Sequence, residues 1–236
     1  MKVRYTNKML GYLWSVASPL AFAFVYYIAF QVVMQVPIPN YPLFLLSGLL
    51  PWQWFSNSVD SAPQLFLNNA PIIKKVNFPR DIISMAVVLN HMTHFFLSLP
   101  VIVVFLLVFQ KLPSVHWVYG IPLLMVVQAA MVHGITLILA TFNLFLRDIE
   151  RLVSILLNLV FYFTPILYSV ELIPTQYRHL IFFNPVAPLM VNWRNMLMDG
   201  TLDWGYLVVS LGYSLLFLGL GYVVYRKLSW RFAEVV

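Results

Sequence analysis

The chain has 236 residues, 61% hydrophobic, 17% aromatic and only 9% charged, a load of apolar side chain that no soluble core of this length could hide. Lys and Arg number 14 against 8 Asp and Glu, for a net charge of +6, and the excess sits in short gaps beside apolar runs, where anchoring to anionic lipid explains it better than nucleic acid does. Cysteine is absent, which excludes disulfides, thiolate metal sites and cysteine nucleophiles and leaves the redox compartment unread.

The pattern predicts an all-α integral membrane protein, a single domain over 1–236 with no internal repeat. Six segments, at about 12–36, 43–62, 82–109, 117–145, 152–169 and 206–225, each approach the roughly 20 apolar residues that cross a bilayer. Lys2, Arg4, Lys8, Lys74, Lys75, Arg80, Arg147, Arg151, Arg226, Lys227 and Arg231 fall on the side shared by both termini, leaving Lys111, Arg178 and Arg194 opposite. By the positive-inside rule both ends are expected in the cytoplasm.

In chain order, residues 1–12 interleave Lys2, Arg4 and Lys8 with Val3, Tyr5, Met9 and Leu10, which suits an amphipathic helix in the cytoplasmic headgroup layer. The apolar run that follows is long and lacks a small-residue cleavage site, so it reads as a retained span rather than a signal peptide. Pro51 interrupts the second span's hydrogen-bond ladder and predicts a kink beside Trp52 and Trp54.

Between the second and third spans, Asn69 or Ala70 can cap, Pro71 suits a first helical turn and Pro79 forbids continuation. A free-standing two-turn helix projecting into the cytoplasm is expected within 68–81. Between the fourth and fifth spans, Arg147 with Glu150 and Asp148 with Arg151 stand three apart, as local ion pairs of a solvated turn or as a contact surface. Residues 170–204 are apolar but broken by Pro174, Pro185, Pro188 and Gly200. Two half-helices at about 174–183 and 186–199 are expected, with Asn184-Pro185 as the turn and Gly200 as the stop, dipping into the membrane or lying against it.

No G-x-x-x-x-G-K-[ST] phosphate loop occurs, so any ATP-driven work is powered from another polypeptide. Asp60, near a cytoplasmic span end, is the one acid within a span, too little for an ion-coupled carrier; it either serves function or meets headgroup water. His91 and His94 stand three apart on the third span, a spacing a metal accepts, yet no acid or thiol is expected beside them. Hydrogen bonding within the bundle, or facing a wet path, is the preferred reading for both and for His133 in the fourth span. The aromatic clusters Trp52, Trp54, Phe55; Phe161, Tyr162, Phe163; and Tyr26, Tyr27 fit interface belts, and alternatively a passage in which aromatic faces pack on sugar C–H surfaces.

Taken together in order, several motifs resemble the polysaccharide-export ABC permeases over nearly the whole chain, most of all their O-antigen branch. They are Arg4-Tyr5, Leu10-Gly11-Tyr12-Leu13-Trp14 with Pro19, Ile73-Lys74-Lys75-Val76-Asn77-Phe78-Pro79-Arg80, Arg147-Asp148-Ile149, Thr164-Pro165-Ile166-Leu167-Tyr168-Ser169, Ile173-Pro174, and Asn184-Pro185 with Arg194. Relatives usually carry a longer cytoplasmic lead before the position of Arg4.

The resemblance implies a homodimer of six-span subunits in the bacterial inner membrane, paired with a separate ABC ATPase subunit that holds ATP and Mg, with no cofactor on this chain. The cargo it implies is lipid-linked polysaccharide, with sibling exporters of teichoic acid or capsule, a drug exporter and a passive pore as the alternatives. It places Ile73, Lys74, Lys75, Phe78, Pro79 and Arg80 on a coupling helix seated in the ATPase, and Arg178, His179, Asn184 and Arg194 in an outer gate. It frames the channel with the first and fifth spans, so Tyr26, Tyr27, Tyr162 and Phe163 are candidate liners. Arg4 and Lys8 either meet the lipid diphosphate at the entrance or anchor to headgroups.

Overall fold

A computed structural model describes residues 17, 20–76, 78–146 and 148–232. The expected interface helix over 1–12, with Arg4 and Lys8, lies outside the described residues, as do Asn77 and Arg147. Among the described residues every regular element is helical.

Helix α1 (Leu20–Val33) closes as a π-helix over Tyr27–Val33. A proline-rich turn follows, with Gln35 and Asn40 in the left-handed region at φ 52. Helix α2 (Tyr41–Ser61) starts with Pro42 in its first turn and is the centre of the molecule, with 15 of its 21 residues buried. It runs through Pro51 rather than ending there, and the Pro51 carbonyl accepts from Gln128 Nε2 at 2.9 Å. The other end of that amide accepts from Trp193 Nε1 at 2.6 Å, so one glutamine joins three helices.

Two short turns, α3 (Leu65–Asn68) and α4 (Ala70–Lys75), lead to α5 (Asp81–Val108). Helices α5, α6 (Trp117–Asn143) and α9 (Trp204–Leu228) are each long and apolar enough to cross a membrane. At 28, 27 and 25 residues they run about 38–42 Å against a hydrocarbon core of about 30 Å.

The most extensive helix pair is α6 against α9. A Cβ on Gly134 would overlap the Phe217 backbone and stand 2.5 Å from the Leu218 nitrogen, and a Cβ on Gly221 would stand 2.5 Å from the Gly134 carbonyl. The two backbones touch there because neither glycine has a side chain, the close approach that small residues allow in lipid.

Helix α7 (Ile149–Phe163) is shorter than the expected 152–169 span. Pro165 disfavours helical geometry at the residue before it, and Thr164 is extended at φ −94, ψ 134. The buried stretch 164–167 then turns inward. Beyond a single 3-10 turn at Val170–Leu172, the two expected half-helices form as a 3-10 helix over Thr175–Phe183 and as α8 (Ala187–Asp199). Gly200 ends α8 in the left-handed region at φ 68, where its own Cβ would collide with Ser114. The 3-10 segment is largely exposed, whereas α8 has 10 of 13 residues buried and packs on α2, α6 and α9. The second half-helix is thus part of the core.

Candidate functional site

Four helices line an open cavity of about 540 Å³. Phe22 and Tyr26 come from α1, Leu49 to Asn57 from α2, His91 to Ser98 from α5, and Leu157, Asn158 and Phe161 from α7. Its wall holds two aromatic groups: the Phe161 ring lies 5.5 Å from Trp52 and 6.1 Å from Tyr26, and Trp54 stacks on Phe95 at 5.6 Å. Trp54 is fixed by its indole N–H, which donates to the Val88 carbonyl at 3.2 Å.

Set into that wall are Gln53, Asn57, His91, His94, Ser98 and Asn158. Gln53 and Asn57 are four apart and share a face of α2, as the histidines, three apart, share a face of α5. Amide, imidazole and hydroxyl groups beside flat aromatic faces suit a polyhydroxylated molecule, whose C–H surfaces stack while its hydroxyls exchange hydrogen bonds.

Of the four aromatics singled out in the sequence as liners, the structure brings Tyr26 to this cavity. Tyr27 is half-buried against the core, Tyr162 is 63% exposed, and Phe163, 72% exposed, lines a second, apolar cavity of about 690 Å³ between α7 and Thr175–Phe183. Phe161, Trp52, Gln53, Asn57 and Asn158 take the inner positions. The signal that would have found the last three is an amide inside an apolar span, which needs a partner or a wet surface.

At the end of the molecule that carries most of the basic residues, α4 is shorter and less free than the sequence suggested. Asn69 precedes it, but its amide donates back to the Leu65 carbonyl at 2.8 Å instead of capping. Ile73 is buried in a second apolar cluster with Leu65, Phe66, Leu137, Ala140, Leu144 and Phe232. Lys74, Lys75 and Pro79 stay exposed, with Phe78 half-buried. Arg80 turns inward: Nη1 donates to the Ser229 carbonyl at 3.1 Å and the guanidinium lies 5.5 Å over the Phe232 ring. The loop therefore offers an exposed basic face on an apolar foot. On the same end Asp60 accepts from Ser154 Oγ at 3.3 Å, and Glu150 accepts from Gln64.

At the opposite end Arg194 is 6% exposed. Pro165 breaks α7 and leaves carbonyls without helical donors. Arg194 supplies two of them, donating from Nη1 to Pro165 at 2.6 Å and from Nη2 to Ile166 at 2.8 Å, and also donates from Nε to the Phe44 carbonyl of α2 at 3.4 Å. Its guanidinium lies 3.7 Å from the Phe44 ring centroid, and Tyr41 donates to the next carbonyl, Leu167, at 3.0 Å.

Arg178 donates to the carbonyls of Ile173 at 3.0 Å and Glu171 at 2.9 Å. Asn184 donates to Thr164 Oγ1 at 3.0 Å and accepts from the Val186 N–H at 3.0 Å, while His179 is exposed. The contacts of Arg178 and Arg194 are those of groups that hold the outer segments together. A hydrogen bond from the Ser169 side chain, then one from its own backbone N–H, holds the Glu171 carboxyl below its ordinary range, with Arg178 and Arg194 adding to the effect.

Comparison with known proteins gives a consistent result. Residues 1–198 match the model of the ABC-2 type transporter family. The chain is 46% identical, over its whole length and 91% of the relative, to an O-antigen export system permease protein, RfbA, of Klebsiella pneumoniae. It is 32% identical to the protein of that name in Myxococcus xanthus, over the whole chain and 92% of the relative. Against a polysialic acid transport protein, KpsM, of Escherichia coli the figure is 25%, over 96% of the chain and 89% of the relative.

Proposed function

The chain belongs to the ABC-2 type transporter family, and on that premise we propose that it is the permease subunit of an ATP-driven exporter of O-antigen polysaccharide. The observation that carries this reading is full-length identity of 46% to an O-antigen export permease, against 25% to a polysialic acid transporter. That gap favours O antigen over the capsular alternative.

In this reading ATP and Mg belong to a separate ATPase subunit, the chain crosses the inner membrane six times with both termini cytoplasmic, and two copies form the conduit. Helices α5, α6 and α9 are long and apolar enough to span, and on this reading α1, α2 and α7 are the other three. A dimer through α1 and α7 is favoured by the packing, because Val153 alone of the 15 residues of α7 is buried, while Leu152, Ile155, Leu156 and Leu159 stand exposed.

ATP binding closes the ATPase pair, pushes on the 68–81 loop through its exposed Lys74, Lys75 and Pro79, and opens a path past the aromatic cavity for a lipid-linked glycan. Hydrolysis resets it. The outer segments around Arg178, His179, Asn184 and Arg194 close the far end, and Arg4 and Lys8 meet the diphosphate at the entrance.

The deciding experiment is ATP-dependent movement of lipid-linked O-antigen glycan in vesicles that contain this chain and its ATPase. Export that persists without an ATPase rejects the reading. Export of capsular but not O-antigen glycan replaces it with the sibling function. Wild-type export rates in an Arg4→Ala, Lys8→Ala double variant reject the entrance assignment alone.

A further inference from the structure

Directly behind the loop, buried and half-buried polar groups form a chain that the transport path does not use. Asp81, the first residue of α5, accepts from the Tyr222 hydroxyl at 3.3 Å, and the same hydroxyl lies 3.3 Å from His133 Nε2. His133 Nδ1 is 3.1 Å from Ser84 Oγ, which is 2.6 Å from Thr136 Oγ1. Ser84, His133 and Thr136 are essentially inaccessible, at 0%, 1% and 0% exposure.

A Tyr222 hydroxyl that donates to Asp81 can only accept from His133, which puts an imidazole proton on Nε2, while Thr136 Oγ1 donates to the His133 carbonyl at 2.9 Å. The polar contacts run from Ser84 on α5, through His133 on α6 and Tyr222 on α9, back to the carboxylate at the start of α5.

Two further features make this a mechanical joint. The residue before Asp81 is Arg80, which grips the Ser229 carbonyl and the Phe232 ring at the end of α9. The residue after His133 is Gly134, where α6 and α9 meet backbone to backbone and cannot slide. The loop is thus attached to α6 and α9 at the point where those helices are locked to each other.

We propose that Tyr222 and His133 are positioning residues of the coupling step, tying the 68–81 loop to the α6–α9 pair so that displacement of the loop moves both helices as one body. This rests on the exporter reading given above.

The test is the ratio of glycan exported to ATP hydrolysed, measured in vesicles holding the full chain with its ATPase. Tyr222→Phe removes one hydroxyl and keeps the ring, which sits 5.7 Å from the imidazole. It is expected to lower the ratio about tenfold, the worth of one hydrogen bond to a charged group. ATPase binding should hold at its wild-type value, and the melting temperature should fall by no more than about 3–6 °C, the worth of that one hydrogen bond in a chain of this length. His133→Leu should lower the ratio similarly, the double variant should add little, and His133→Gln, which keeps a donor, should recover part of it.

A wild-type ratio in Tyr222→Phe overturns the inference, as does a ratio that falls only in step with lost ATPase binding or with a fall in melting temperature larger than one hydrogen bond accounts for. Failure of the wild-type pair to export at all rejects the exporter reading itself, and the coupling role with it.

Discussion

Replacing Arg194 with Met offers a direct measure of what holds the outer end of the bundle. The side chains are similar in length, so packing changes little while the guanidinium is lost. Two carbonyls, those of Pro165 and Ile166, then lose donors at 2.6 and 2.8 Å in a site with no room for replacements. Each stranded carbonyl costs about 1–3 kcal/mol. The third bond, to Phe44 at 3.4 Å, lies at the limit of hydrogen-bond geometry and adds little. Relief from burying a charge offsets part of the loss, leaving about 3 kcal/mol. In a chain of this length that is a fall of about 6–12 °C in melting temperature. Gly48 supplies the control, because a Cβ there would stand 2.7 Å from Arg194 Nη2. Gly48→Ala should therefore destabilise the native protein and cost much less beside Arg194→Met, with a coupling of about 1–2 kcal/mol. Thermal unfolding in detergent, followed through the intrinsic fluorescence of the seven tryptophans, reads all four proteins. Melting of Arg194→Met within about 2 °C of wild type, or equal effects of Gly48→Ala in both backgrounds, would refute this account.

Gly134→Val should abolish the close α6–α9 contact and cost about 3 kcal/mol or more through overpacking, whereas the same change at Gly212, whose Cβ meets nothing within 4 Å, should be nearly silent; detergent melting curves compare them. Phe161→Ala with Trp52→Ala should slow glycan export about tenfold or more, on the scale of about 1–3 kcal/mol per lost stacking face, while Phe163→Ala, outside that cavity, should act much less in the same vesicle assay. Glu171 has a folded-state carboxyl below its ordinary value of 4.5, so its contribution is present above that value and is lost as pH falls through the folded one. Amide exchange over 170–183 should accelerate across that acid window in the wild type and lose that dependence in Glu171→Gln.

Much of the fold was legible in the sequence because lipid imposes simple rules. Helices α5, α6 and α9 follow from apolar length alone, and Gly200 ends α8 at the residue its missing side chain marks. The misplaced features all depend on contacts between segments distant in sequence. Helix α7 stops at Phe163 rather than 169 because Pro165 ends it, yet the stretch that follows stays buried because Arg194, 28 residues from Ile166, and Tyr41, 126 residues from Leu167, supply donors. The 68–81 helix looked free because its Lys pair and prolines are local signals, whereas the pocket for Ile73 is built by Leu137, Leu144 and Phe232. In the cavity, four consecutive aromatic and threonine positions at 161–164 look alike in sequence. Helical phase and the position of Trp52 decide that Phe161 faces inward and Phe163 away.

Packing divides the subunit into two unequal parts, and the division bears on how a push could become an opening. Helices α2, α5, α6, α8 and α9 share one continuous core, bridged by Gln128 and locked at Gly134 and Gly221. Helix α7 meets that core mainly along α2, through side chains that also border the cavity, and α1 joins it through Tyr26 and Phe30. Under the coupling proposed above, a force entering at Arg80 and Asp81 would be delivered to the rigid part, since their partners Ser229, Phe232 and Tyr222, and His133 behind Tyr222, lie on α6, α9 and the turn after it. Motion of that body past α7 changes the cavity directly, because Trp52 rides on the one and Phe161 on the other. Among the described residues, a shift of the core against α7 breaks fewer buried contacts than bending within the core, and is the less costly displacement.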